Sequence, residues 1–105
     1  MPQFDVYLNP HAAARNATPY VVDMQSAFID LLPTRLVAPL SRLNSSQLRL
    51  PVNLCPSVVV GQEAFTLRPH LAAPMDARLL GKPIASLKHR ASELIAAFDA
   101  VLSGM

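Results

Sequence analysis

The sequence predicts a mainly β fold in which a small antiparallel sheet is closed by one C-terminal α-helix. Short apolar segments with strand periodicity occupy the chain up to Pro83. Ten prolines punctuate that part of the 105-residue chain, and none of them follows Pro83. Beyond it, apolar residues recur at steps of three and four, which is typical of an amphipathic helix. We expect one domain over residues 1–105, because a chain of this length builds a single core.

The first strand is predicted over residues 3–8, where Phe4, Val6 and Leu8 alternate with other residues and share one face. A loop rich in Ala, Asn and Pro follows over residues 9–19.

The second strand is predicted over residues 20–24, and a turn follows near residues 30–33. A short third strand is expected at residues 36–38, and we expect Pro39 to end it because proline donates no ladder hydrogen bond. Residues 40–49 are polar and read as a second loop.

Further extended segments are predicted at residues 50–54 and 57–60. Gly61 and Gln62 form the turn of a hairpin whose second strand is residues 64–67. Residues 71–80 contain Pro74, so an edge strand or an irregular segment is expected there.

The helix is predicted over residues 86–102, with Ser86 as its cap and Gly104 at its end. The apolar residues that repeat with helical spacing are Leu87, Ala91, Leu94, Ile95, Phe98 and Leu102.

Composition excludes several classes of protein. Hydrophobic residues make up 51% of the chain and charged residues 15%, which argues against disorder and suggests that a partner, such as a second copy, covers apolar surface. The net charge of +2 is too small and scattered to predict nucleic-acid binding. No signal peptide and no apolar stretch long enough to span a membrane is visible, so a cytoplasmic protein is expected.

No catalytic or metal-binding motif is visible. Cys55 is the only cysteine, and His11, His70 and His89 show no ligand spacing, so no metal or other cofactor is expected. The three glycines lie far apart and form no phosphate-binding loop, and the carboxylates are dispersed. The sequence therefore favours a binding protein that is not an enzyme.

Six segments together resemble the CcdB family, the toxins of bacterial type II toxin–antitoxin systems. They follow one another in the family's order and extend over nearly the whole chain: residues 3–7, 20–30, 35–40, 54–61, 87–90 and 103–105. The resemblance implies a homodimer with a barrel-like antiparallel sheet, related to SH3-like folds, and a C-terminal helix. It also implies a toxin that binds the A subunit of DNA gyrase and traps the gyrase–DNA cleavage complex. A CcdA-like antitoxin would neutralise it and act with it in repressing their operon. The toxin itself would contact DNA only indirectly, through gyrase or the antitoxin.

The resemblance places the gyrase contact at the C-terminal tip, with two supporting sites elsewhere. The tip is Ser103, Gly104 and Met105, supported by Asp99 and by Phe28 and Ile29. The family commonly carries a tryptophan where this chain has Ser103, so the aromatic anchor is absent. Other interpretations of these residues remain open. Gly104 and Met105 could form a helix end without a partner, Phe28 and Ile29 could both be core residues, and Asp99 could be an ordinary exposed residue of the helix.

Basic residues in the two polar loops are candidates for binding an acidic antitoxin tail, although a solvated surface explains them equally well. They are His11, Arg15, Arg42 and Arg49.

Two other functions remain possible. An endoribonuclease of the MazF/Kid type shares the fold class and would need a basic residue such as Arg15, Arg35 or Arg68 in its active site. The second alternative is an inactive relative that still binds the antitoxin.

Overall fold

The computed structural model describes residues 2–25, 32–42 and 55–103. Within these ranges the chain forms seven strands, four short 3₁₀ turns and one α-helix. The strands are β1 (Asp5–Leu8), β2 (Tyr20–Asp23), β3 (Thr34–Arg42), β4 (Ser57–Val60), β5 (Glu63–Leu67), β6 (Ala73–Asp76) and β7 (Ala85–Ser86). The 3₁₀ turns are Ala12–Ala14, Pro69–Leu71, Ala77–Leu79 and Lys88–Arg90, and the helix α1 is Ala91–Ser103.

All strand pairs are antiparallel, and the strand order is β4-β5-β3-β2-β1-β7. The long strand β3 bends the sheet because two strands share one of its edges: β6 pairs with residues 34–37, and β5 pairs with residues 40–42. The other edge of β3 pairs with β2. The result is a nearly closed antiparallel barrel with one C-terminal helix, which confirms the predicted fold class.

Pro39 lies inside β3, so the prediction that it ends a three-residue strand is wrong. The Pro39 carbonyl accepts a hydrogen bond from the Arg68 backbone N–H at 3.0 Å. In an antiparallel pair, the N–H and C=O of one residue point to the same neighbouring strand. Pro39 therefore directs its missing N–H to the edge where the partner of β3 changes from β6 to β5. The Arg68 carbonyl at that edge accepts a hydrogen bond from the Leu71 N–H at 3.1 Å instead.

Apolar residues on both faces of β1, β2 and β3 are buried, which explains why these strands contain adjacent apolar residues. One face contributes to the main core beneath α1, which contains Phe4, Val6, Val22, Met24, Ala38, Leu40, Val58, Val60, Phe65, Leu67, Leu87 and Leu94. The opposite face carries a smaller cluster of Tyr7, Val21, Val37 and Leu80, with Met75 packed against it. Phe4 and Val6 occupy the predicted core face, whereas Leu8 at the strand end is exposed.

The predicted hairpin is confirmed, with Val60 paired to Glu63 across Gly61 and Gln62. Residues 71–80 contain the edge strand β6, as expected from Pro74. The two-residue strand β7 was not expected, and the predicted strand at residues 50–54 lies outside the described residues.

The helix begins later than predicted. A 3₁₀ turn, Lys88–Arg90, precedes α1, and the Ser86 hydroxyl accepts a hydrogen bond from the Lys88 N–H at 3.2 Å ahead of that turn. Leu94 and Ala97 are the fully buried residues of α1, and they hold the helix on the barrel.

Candidate functional site

The C-terminal part of α1 is held firmly but leaves its end exposed. Leu94 is buried in the main core, and the partly buried Phe98 packs against it one turn later. Asp99 and Ser103 lie on the exposed side of the same helix, and Ser103 is the last described residue. Gly104 and Met105 lie outside the described residues. The barrel therefore presents Asp99 and Ser103 to solvent at the end of an anchored helix.

The exposed side of α1 also contains two apolar residues of the repeat that predicted the helix. Leu102 is 73% exposed and Ile95 is 45% exposed. At 3.6 residues per turn, both lie beside the buried stripe of Leu94 and Ala97, on the face of Asp99. The helical spacing was correct, but the sequence alone did not show which edge of a broad apolar stripe stays uncovered.

Besides Gly104 and Met105, three further predicted site residues cannot be placed: Phe28, Ile29 and Arg49 lie outside the described residues. Their assignment to gyrase or antitoxin binding stays a prediction.

The loop between β1 and β2 is organised around the buried side chain of Asn9. Its amide nitrogen donates to the Thr18 carbonyl at 2.9 Å, and its Oδ1 accepts from the His11 N–H at 3.0 Å. The Arg15 Nε donates to the Asn9 carbonyl. These bonds across the loop place His11 and Arg15 on one structured segment.

Arg42, at the end of β3, is joined to the same loop. Its Nε donates to the Asn16 carbonyl at 2.9 Å, and its backbone N–H donates to the Ala17 carbonyl at 2.9 Å. The guanidinium also forms an ion pair with Glu63 and lies 5.9 Å from the centre of the Phe65 ring. Three of the four candidates for antitoxin binding, His11, Arg15 and Arg42, are thus associated with one loop.

A buried ion pair joins β2 and β3. The Arg35 guanidinium lies 2.7 Å from Asp23 Oδ2, and the side chains are 1% and 0% exposed. The other carboxylate oxygen of Asp23 accepts the Gln25 N–H at 2.9 Å. Burial raises the pKa of Asp23, while the Gln25 N–H and Arg35 act in the opposite direction. Because Arg35 is enclosed, it cannot contact RNA without unfolding, which weighs against its proposed role in an endoribonuclease.

Cys55 is buried, and burial raises the pKa of its thiol against the opposing charge of Arg68. Its sulfur lies 3.9 Å from His70 Nδ1. Among the residues that the structure describes, no group of three or more His, Cys, Asp or Glu side chains could hold a metal ion.

Comparison with known proteins identifies one family. The family model described as CcdB protein matches residues 3–104. No curated protein matches the chain. Within the described ranges, no helix is long and apolar enough to cross a membrane.

Proposed function

The chain belongs to the CcdB family, the toxins of toxin–antitoxin systems, and we propose that it binds the A subunit of DNA gyrase and traps the gyrase–DNA cleavage complex. The observation that carries this proposal is the family match, which includes Gly104 and extends through the whole of α1. CcdB is not a family of catalytic enzymes, and a poison of this kind acts by binding alone.

The anchored helix supports a contact made by its end. Asp99, Leu102 and Ser103 are exposed there, next to Gly104 and Met105. In a homodimer, two such ends would face a two-fold symmetric enzyme such as gyrase. The protein would act in the cytoplasm, where gyrase acts on DNA.

A CcdA-like antitoxin is the second proposed partner. Its acidic tail would bind near His11 and Arg15, which lie on the loop between β1 and β2, and near Arg42, which is hydrogen-bonded to that loop. The complex of toxin and antitoxin would repress their operon.

The test is DNA cleavage by purified gyrase. Adding this protein together with ATP and supercoiled plasmid should cause linear DNA to accumulate after detergent and protease treatment. A heat-denatured sample of the protein serves as control. If gyrase forms no additional cleaved DNA while the folded protein cleaves RNA, the endoribonuclease alternative replaces this proposal.

A further inference from the structure

A pocket of about 380 Å³ lies where the N-terminal segment meets the start of α1. Its volume falls within the usual range of small-molecule sites, which is about 300–1,000 Å³. The described residues that line it are Pro2, Gln3, Phe4, Lys88 and Ala91. None of them belongs to the C-terminal tip or to the loop between β1 and β2, so the pocket is separate from both of those surfaces.

One wall of this pocket is held in a backbone conformation that bulky residues rarely adopt. The φ of Phe4 is 72°, and such outliers persist where the surrounding structure fixes them, often at ligand sites. The Phe4 N–H donates to the Asp23 carbonyl at 2.6 Å, and its carbonyl accepts from the Leu87 N–H at 2.8 Å. The Gln3 Nε2 donates to the Met24 carbonyl at 3.0 Å. This wall is therefore preformed.

The pocket combines apolar walls with one positive charge. Lys88 is the one charged residue among the described residues that line it, and its side chain is exposed. Lys88 forms no ion pair within residues 2–25, 32–42 and 55–103. Glu93, in the first turn of α1, is already paired with Arg90. The ammonium group is therefore available to an anion that enters the pocket.

We propose that this pocket binds a small carboxylate that carries an apolar chain or ring. The carboxylate pairs with Lys88, and the apolar part covers Pro2, Phe4 and Ala91, so that both the charge and the walls are matched. A cavity of about 150 Å³ holds benzene, so this pocket has room for roughly ten to fifteen non-hydrogen atoms. This inference does not depend on gyrase or the antitoxin.

The chain offers a matched pair of variants for testing this proposal. Lys82 and Lys88 are both exposed and both lie between β6 and α1, but Lys82 does not line the pocket. Lys88→Gln removes the charge from the pocket, and Lys82→Gln removes an equal charge nearby. The hydrogen bond from Lys88 to Ser86 uses the backbone N–H, so the first variant leaves it in place.

The experiment titrates the full chain with octanoate and follows the backbone amide signals by nuclear magnetic resonance. Circular dichroism confirms that each variant is folded. We expect saturable shifts at Gln3, Phe4, Lys88 and Ala91 at millimolar octanoate. Lys88→Gln should weaken binding about three- to fivefold, as for one exposed ion pair, and Lys82→Gln should bind like the wild type. Acetate, which has no apolar chain, and 1-octanol, which has no charge, should both bind more weakly than octanoate.

Three results would overturn this proposal. The first is the absence of saturable shifts at the lining residues. The second is an equal effect of Lys88→Gln and Lys82→Gln, which would reveal a general attraction of anions to the basic surface. The third is binding of acetate or 1-octanol as tightly as octanoate, since either the chain or the charge would then be irrelevant. None of these results affects the proposed function, which the gyrase cleavage assay tests separately.

Discussion

The buried ion pair of Asp23 and Arg35 contributes both to the stability of the fold and to the dependence of that stability on pH. Each side chain is almost fully enclosed, and each is paired with the other and with Gln25. Removing one charge from such a pair leaves the other buried without compensation. No local pattern in the sequence indicates this pairing, because the two residues are twelve positions apart on different strands.

We predict that Arg35→Met lowers the free energy of unfolding by about 3–5 kcal/mol at pH 7. Burial already raises the pKa of Asp23 with Arg35 in place, and removing Arg35 takes away an opposing charge, so the pKa rises further above its value in the unfolded chain. A carboxyl group shifted in this direction stabilises the fold below its unfolded pKa, and that contribution disappears as the pH rises through the folded pKa. The variant should therefore recover stability relative to the wild type as the pH falls from 7 towards 4. Urea unfolding over this range measures the effect, and the control Arg35→Met/Asp23→Asn should show no such recovery.

At the scale of single elements, α1 separates residues that hold the fold from residues that are free for contact. Leu94 is fully buried, and Leu102, eight positions later, is largely exposed. The apolar periodicity predicted the helix but grouped these two leucines together. The distinction depends on where the barrel ends beneath the helix, which is a tertiary property.

Alanine substitutions should therefore affect stability very differently along this helix. We expect Leu94→Ala to cost about 2–5 kcal/mol through lost burial and the cavity that remains. Leu102→Ala should change stability by less than about 0.5 kcal/mol, because the side chain is mostly in water. Thermal and urea unfolding of both variants measure this, and equal losses would contradict the placement of α1.

The hairpin between β4 and β5 depends on the backbone conformation of Gly61, whose φ is 65°. A Cβ atom at this position would meet no other atom within 4 Å, so the effect of a side chain is conformational. We predict that Gly61→Ala lowers the free energy of unfolding by about 1–2 kcal/mol, and that Gly61→Asn lowers it less, because asparagine tolerates this conformation better. Gln62→Ala, in the same turn, is the control and should be nearly neutral.

The elements that were predicted well are those specified by local pattern. Alternation identified β1, and the Gly61–Gln62 turn identified the hairpin. The prediction that Pro39 ends the third strand is wrong because its missing N–H faces the junction between β5 and β6. Only the complete sheet creates that junction. The positive φ of Phe4 had no sequence signal either: its backbone is held by hydrogen bonds to Asp23 and Leu87, and its ring is in the core.

At the scale of the whole molecule, the fold brings together surfaces that no local segment contains. The pocket beside Lys88 combines residues from the N-terminal segment with residues at the start of α1, so no spacing along the chain could have predicted it. The candidate tip is different, because its first residue, Ser103, ends α1 and its prediction rests on the order of resembling segments along the chain.

The most direct test of the account compares the full chain with a variant that lacks Ser103, Gly104 and Met105 in the gyrase cleavage assay. Circular dichroism, thermal melting and analytical ultracentrifugation establish that the fold and the oligomeric state are unchanged by the deletion. We predict that the full chain traps gyrase on cleaved DNA and that the shortened chain does not, while both still bind the antitoxin. Equal trapping by the two proteins would contradict the central claim that the C-terminal tip makes the gyrase contact.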